Sequence, residues 1–116
     1  MADPFRLDGR TVIVTGASRG IGAEVARGIS AQGGAVVAVA RSQPELEALV
    51  ASLPGPAIAV VGDVADTEVV GAAVAAAEEI GGLWGVVNNA GINPFYHPVT
   101  ETPLSEWDEV LRVNLL

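Results

Sequence analysis

The sequence predicts an open α/β fold, a parallel sheet with helices packed against it, and three observations carry that prediction. Short β-rich runs alternate with helical patterns along the chain. Single helices separate successive runs, and a glycine cluster lies between the first run and the first helix. Strands joined through single helices need crossover connections, which pair them in parallel with a right-handed sense.

Thr11 to Thr15 is the first strand, a continuous β-branched run as expected of a strand buried on both faces. The cluster Gly16 to Gly22 follows, then a helix through about Ala31 whose apolar face is expected at Ile21, Val25 and Ile29. Gly33 and Gly34 stop it. Ala35 to Ala40 is the second strand. Ser42 opens the next helix, with Glu45 three residues on completing a capping box. Pro54-Gly55-Pro56 ends that element, and Ala57 to Val61 is the third strand.

A third helix is expected from Asp66 to Ile80, with Val70, Ala73, Val74 and Ala77 on one stripe, stopped by Gly81 and Gly82. Trp84 to Asn88 is the fourth strand. A polar, proline-bearing loop follows from Ala90 to Glu101. Thr102 caps a last helix with Pro103 at its first position, where a missing N–H costs nothing. Its core face is Leu104, Trp107, Leu111 and Leu115. The pattern reaches Leu116 without a stop signal, which reads as a single domain over residues 1–116 that is incomplete at its C-terminus. An unpaired fourth-strand edge is expected to leave it poorly stable alone.

Composition narrows the function classes. Net charge is −8, from fourteen acids against six arginines and no lysine, which argues against nucleic-acid binding. Cysteine is absent and His97 is the only histidine, so thiolate and histidine-built metal sites are excluded. No apolar stretch approaches the ~20 residues that span a bilayer, and Met1 to Arg6 lacks the apolar core of a signal peptide. The expectation is a cytoplasmic protein with neither membrane nor nucleic-acid partner.

The segment Thr15-Gly16-Ala17-Ser18-Arg19-Gly20-Ile21-Gly22 stands between a buried strand and an amphipathic helix. A phosphate site needs that strand–turn–helix order. Gly16 lets the chain turn off the strand, while Gly20 and Gly22 permit close approach to a diphosphate and tight helix–sheet packing. The helix N-terminus then offers free N–H groups and partial positive charge. The spacing is T-G-x-x-x-G-x-G rather than that of a Walker loop, which also needs a lysine.

On that segment the chain resembles the short-chain dehydrogenase/reductase family, and three further motifs fall in family order. Asp63-Val64 follows the third strand, Asn88-Asn89-Ala90-Gly91 ends the fourth, and Val113-Asn114-Leu115 lies in the last helix. The resemblance covers essentially the whole chain. It implies a Rossmann-type doubly wound parallel sheet, here truncated to about four strands in the order 3-2-1-4. It also implies an oxidoreductase interconverting alcohols and carbonyls, with Asp63 and Val64 at the adenine and Asn89, Ala90 and Gly91 in the cofactor site. Intact relatives are expected to be homo-oligomers. Among members, the sequence is similar to 3-oxoacyl-carrier-protein reductases and to NADP-dependent carbonyl and retinol reductases.

The choice of cofactor rests on the end of the second strand. NAD-binding enzymes place an acid there to accept from the ribose 2′-OH. This chain has Ala40, then Arg41 and Ser42. Arg41 offers two parallel N–H donors to a phosphate, and Arg19 adds a second cation from the glycine loop. Together they point to NADP(H).

The family's catalytic set, by resemblance, is an Asn, a Ser and a Y-x-x-x-K pair. A lysine next to the tyrosine lowers its pKa from about 10 so that it can exchange a proton with the substrate oxygen. A chain without lysine does not contain that pair, and Tyr96, with Thr100 four residues on, is not the family's tyrosine. Tyr96 reads either as a pocket lining or as loop packing, and His97 as a solvated loop histidine or, second, a substrate contact. Asn114 is the one member of the set present, an amide on an apolar stripe that the resemblance makes a relay for water and the catalytic lysine. The alternatives are a non-catalytic NADP(H)-binding module and a non-functional truncation.

Overall fold

The structure, a computed structural model, describes residues 5–89. Within them the order is β1 (Thr11–Thr15), α1 (Gly20–Ala31), β2 (Ala35–Ala40), α2 (Gln43–Ser52), β3 (Ala57–Val61), α3 (Thr67–Glu79) and β4 (Leu83–Val87). The strands form one parallel sheet in the order β3-β2-β1-β4, the arrangement expected of a truncated doubly wound fold. The loop expected at 90–101 and the last helix, with Leu104, Trp107, Leu111, Asn114 and Leu115, lie outside the described residues.

The chain steps outward from β1 to β3 and returns across the sheet to β4. Right-handed crossovers then place α1 and α2 on one face and α3 on the other. Alternation along the strands divides the core accordingly. Val12, Val14, Val36 and Ala38 meet Ala23, Ala26, Ile29, Leu46 and Leu49 on the first face. Ile13, Val37 and Val39 meet Ala73, Ala76 and Ala77 on the second. Both central strands are buried along their whole length. Leu46 is fully buried, which stabilises the α2 contact by roughly 1.5–3 kcal/mol.

Both helix faces keep part of the expected stripe, Ile29 with partly buried Val25 on α1 and Ala73 with Ala77 on α3, and they differ where alanines make the remaining contacts in place of Ile21, Val70 and Val74. On α1 the buried positions are Gly22, Ala23, Ala26, Ile29 and Ser30, while Ile21 is 75% exposed. On α3 they are Ala73, Ala76 and Ala77, leaving Val70 and Val74 on an open flank. Small side chains let each helix approach the sheet closely, and the bulkier residues fall to the side of the stripe.

The fourth strand also starts one residue early, and the pairing explains it. Thr11 lies opposite Leu83 but Val12 lies opposite Gly85, so Trp84 is the extra residue of a bulge. Its ring, 56% exposed, lies under the Arg10 guanidinium at 4.7 Å. No helix among the described residues is long and apolar enough to cross a membrane.

Candidate functional site

All four strands are parallel, so their C-terminal ends gather on one edge of the sheet. The glycine loop leaves β1 at that edge, between the ends of β2 and β4. Gly16 (φ 62°) and Gly20 (φ 61°) take the left-handed conformation that other residues adopt only with strain. Gly22 serves a different need: a Cβ there would lie 2.1 Å from the Gly16 carbonyl oxygen and 2.6 Å from Asn89 Nδ2. Its role is close packing of helix against loop.

The loop is tied to both flanking strands. The Ala17 N–H donates to the Val39 carbonyl at 3.2 Å, and Ala17 is wholly buried. Thr15, at the end of buried β1, donates its hydroxyl to the Val87 carbonyl (3.3 Å) and accepts from the Asn89 N–H (2.9 Å). The Asn89 carboxamide donates to the Gly16 carbonyl at 3.3 Å. Thr15 was not singled out as a site residue from sequence. The available signal was a hydroxyl at the end of a strand with no polar neighbour to satisfy it.

At the start of α1, Arg19 is the N-cap residue and makes no side-chain cap bond, and the first turn holds no acid. The first N–H groups therefore have no side-chain cap at this edge of the sheet, and the partial positive charge of the helix lies behind them. Ser18, Arg19 and Ile21 line an open groove of about 770 Å³ that continues along α1 to Arg27. Arg27 pairs with Glu24, whereas Arg19 has no ion pair among the described residues.

The end of β2 is built similarly. Ala40 is buried and its carbonyl accepts from the Gly62 N–H at 2.9 Å. Arg41 is exposed and has no ion pair among the described residues. Ser42 is the N-cap of α2 as expected, but its hydroxyl makes no cap bond, so the capping box with Glu45 does not form. Because β1 and β2 pair through Thr15 and Val39, the two open helix starts and the two arginines stand at neighbouring strand ends.

At the end of β3, Asp63 turns the chain into α3 by accepting from the Ala65 N–H at 2.9 Å. Val64 is partly buried against the α3-side core. Of the residues expected in the site, the structure brings Gly16 to Gly22, Arg41, Ser42, Asp63, Val64 and Asn89 to one edge. Ala90, Gly91 and Asn114 lie outside the described residues. Among the described residues no group of three or more His, Asp or Glu side chains is placed to hold a metal ion.

Comparison with known proteins agrees with this geometry. The family described as short chain dehydrogenase matches residues 10–116. D-threitol dehydrogenase of Mycolicibacterium smegmatis is 42% identical over 115 residues, covering 96% of this chain and 44% of the relative. A crystal structure of a 3-ketoacyl-ACP reductase from Sinorhizobium meliloti superposes with a TM-score of 0.84 at 37% identity, over 90% of this chain and 43% of that one. The structure of L-sorbose reductase from Gluconobacter frateurii, complexed with NADPH and L-sorbose, superposes with a TM-score of 0.82 at 29% identity, over 95% and 43%. The chain therefore spans less than half the length of the proteins it matches.

Proposed function

The chain belongs to the short-chain dehydrogenase family, and from that premise we propose that it forms the NADP(H)-binding part of an oxidoreductase interconverting alcohols and carbonyls. The observation that carries the cofactor choice is the end of β2: a buried Ala40 where a carboxylate would repel a 2′-phosphate, then Arg41 and a Ser42 hydroxyl that caps nothing. The L-sorbose reductase neighbour, whose structure holds NADPH, supports the same choice.

The residues fit a dinucleotide on physical grounds. Two positive-φ glycines, an uncapped α1 and an N-cap arginine with no ion pair among the described residues suit an anion. In this reading the loop from Gly16 through Ala17, Ser18, Arg19, Gly20 and Ile21 to Gly22 holds the diphosphate. Arg41 and Ser42, with Arg19, hold the 2′-phosphate. Asp63 and Val64 border the adenine, and Asn89, Ala90 and Gly91 border the cofactor from the β4 side. When bound, the nicotinamide ring supplies the hydride exchanged with the substrate carbon.

This chain's residues would bind, orient and exclude water, and Asn114 would anchor the water that relays the proton. A charge-assisted bidentate arginine–phosphate contact contributes about 1.5–3 kcal/mol, which corresponds to about ten- to hundredfold in affinity.

The absence of lysine favours one second reading, NADP(H) binding without turnover by this chain alone. Calorimetric titration of the chain with NADPH and with NADH tests the proposal, with NADPH expected to bind at least tenfold more tightly. Equal affinities would remove the cofactor assignment. NADPH consumption in the presence of ketoses or other small carbonyl compounds then separates the two readings.

A further inference from the structure

The ends of β2 and β3 are tied together one residue short of the proposed site. The Gly62 N–H donates to the Ala40 carbonyl at 2.9 Å, just before Arg41 on one strand and just before Asp63 on the other. Two bonds of 2.9 Å draw the following turn tight, from the Asp66 N–H to the Asp63 carbonyl and from the Ala65 N–H to Asp63 Oδ1. The first turn of α3 therefore begins close to the end of β3, and Val69 lies against Gly62.

That contact leaves no room for a side chain at position 62. A Cβ there would overlap Val69 Cγ2 and come within 3.3 Å of Cγ1 and 3.4 Å of Cβ. Valine in a helix has essentially one side-chain rotamer, so rotation does not relieve the overlap. Val69 itself packs against the α3-side core, so either the helix start or the strand end has to move. We infer that Gly62 is a positioning residue for the adenosine half of the dinucleotide. Its bare α-carbon admits Val69, and the fit holds the Asp63–Val64 turn at a fixed distance from Arg41. Gly62 acts through its neighbours in the chain and not through contact with the ligand.

The inference rests on the proposed dinucleotide site for its effect on binding, but not for the fit of Gly62 to Val69. In the full chain, Gly62→Ala is expected to weaken 2′,5′-ADP and 5′-AMP alike by about three- to tenfold, the range of one hydrogen bond. The loss is shared because the displaced turn borders the adenosine common to both. Val69→Ala alone lowers the melting temperature, yet added to Gly62→Ala it is expected to restore both affinities to within about twofold. Gly71→Ala, also on α3 but with nothing within 4 Å of the added Cβ, is the control and should leave both affinities within about twofold. A role in stability alone would lower the melting temperature of Gly62→Ala and spare the affinity of the folded chain, which would overturn the inference. A loss that persists in the double variant would also overturn it, since the cost would then lie in the Gly62 backbone (φ 157°) and not in the contact.

The second arm uses no nucleotide. Amide protection at position 62 is expected to fall in Gly62→Ala and to return in the double variant, while Val14 and Val37 keep theirs. Unchanged protection at position 62 would overturn the inference. Val69→Ile, which crowds the same space from the helix side, serves if Gly62→Ala does not fold. Failure of the unsubstituted chain to bind either nucleotide would overturn the cofactor reading instead, and the exchange arm would still judge the fit.

Discussion

Three helices start at the same edge of the sheet, and they start in two different ways. At α3, Asp66 accepts from the Glu68 N–H at 2.9 Å, and Glu68 adds an acid to the first turn. That start is closed by its own side chains, as a helix serving only stability should be. At α1 and α2 the N-cap residues are Arg19 and Ser42, and neither makes a cap bond. Each of these two starts forgoes about 0.5–2 kcal/mol that an ordinary cap would contribute. The side-chain cap is thus missing at the helices that follow β1 and β2, beside Arg19 and Arg41, and present at the helix that follows β3, although α2 shares with α3 an acid in its first turn, Glu45.

The largest effect should come from the open side. Arg41→Ala is expected to weaken NADPH binding by about ten- to hundredfold while leaving NADH unchanged, measured by titration of each nucleotide. A comparable loss for both nucleotides would show that Arg41 reads something other than the 2′-phosphate. Next comes Arg19→Asp, which replaces a poor cap with a good one. Thermal melts should show a gain of about 0.5–1 kcal/mol, whereas NADPH affinity should fall about tenfold. A variant that gains stability without losing affinity would break the contrast between the two kinds of helix start.

On the closed side the pattern should invert. Asp66→Ala is expected to lower stability by about 0.5–2 kcal/mol in denaturant melts, with NADPH affinity within twofold of the unsubstituted chain.

The smallest effect belongs to the other end of α1. There the Arg6 guanidinium donates to the Ala31 carbonyl at 3.4 Å and forks onto Asp8. The hydrogen bond from Arg6 holds the Asp8 carboxyl below its usual 3.8, and the nearby positive charge of Arg6 acts in the same direction. A depressed carboxyl adds stability above its unfolded value and loses it as pH falls through the folded one. Asp8→Asn should therefore melt slightly below the unsubstituted chain at neutral pH, and the gap should close as the pH falls below the usual carboxylate range. A gap that widens on acidification would contradict the pairing.

How much of this was legible beforehand follows from the range of the interactions. The first three strands match residue for residue, because each is a β-branched or alanine run buried between turn residues. The fourth slipped by one residue at Trp84, where a bulge depends on pairing with β1 and not on local pattern. Of the expected α3 stripe, Ala73 and Ala77 are buried while Val70 and Val74 are not, since hydropathy ranks valine above alanine and says nothing of how closely a helix must approach the sheet.

The candidate site shows the same division. The loop from Gly16 to Gly22 and the Arg41-Ser42 pair were readable from chain order and residue chemistry. The bonds from Thr15 to Asn89 and from Asn89 to Gly16 cross more than seventy residues of sequence. They exist because β4 returns to lie beside β1, and no local rule encodes them. The capping box expected at Ser42 and Glu45 does not form, and nothing in the local sequence forbids it.

The central claim is that the open starts of α1 and α2, with Arg19 and Arg41, recognise a 2′-phosphate. The most direct measurement is calorimetric titration of the chain with 2′,5′-ADP and with 5′-AMP, which differ only by that phosphate. The expected result is at least tenfold tighter binding of 2′,5′-ADP, with the advantage shrinking as salt is raised. Equal affinities for the two nucleotides, or a preference for 5′-AMP, would contradict it.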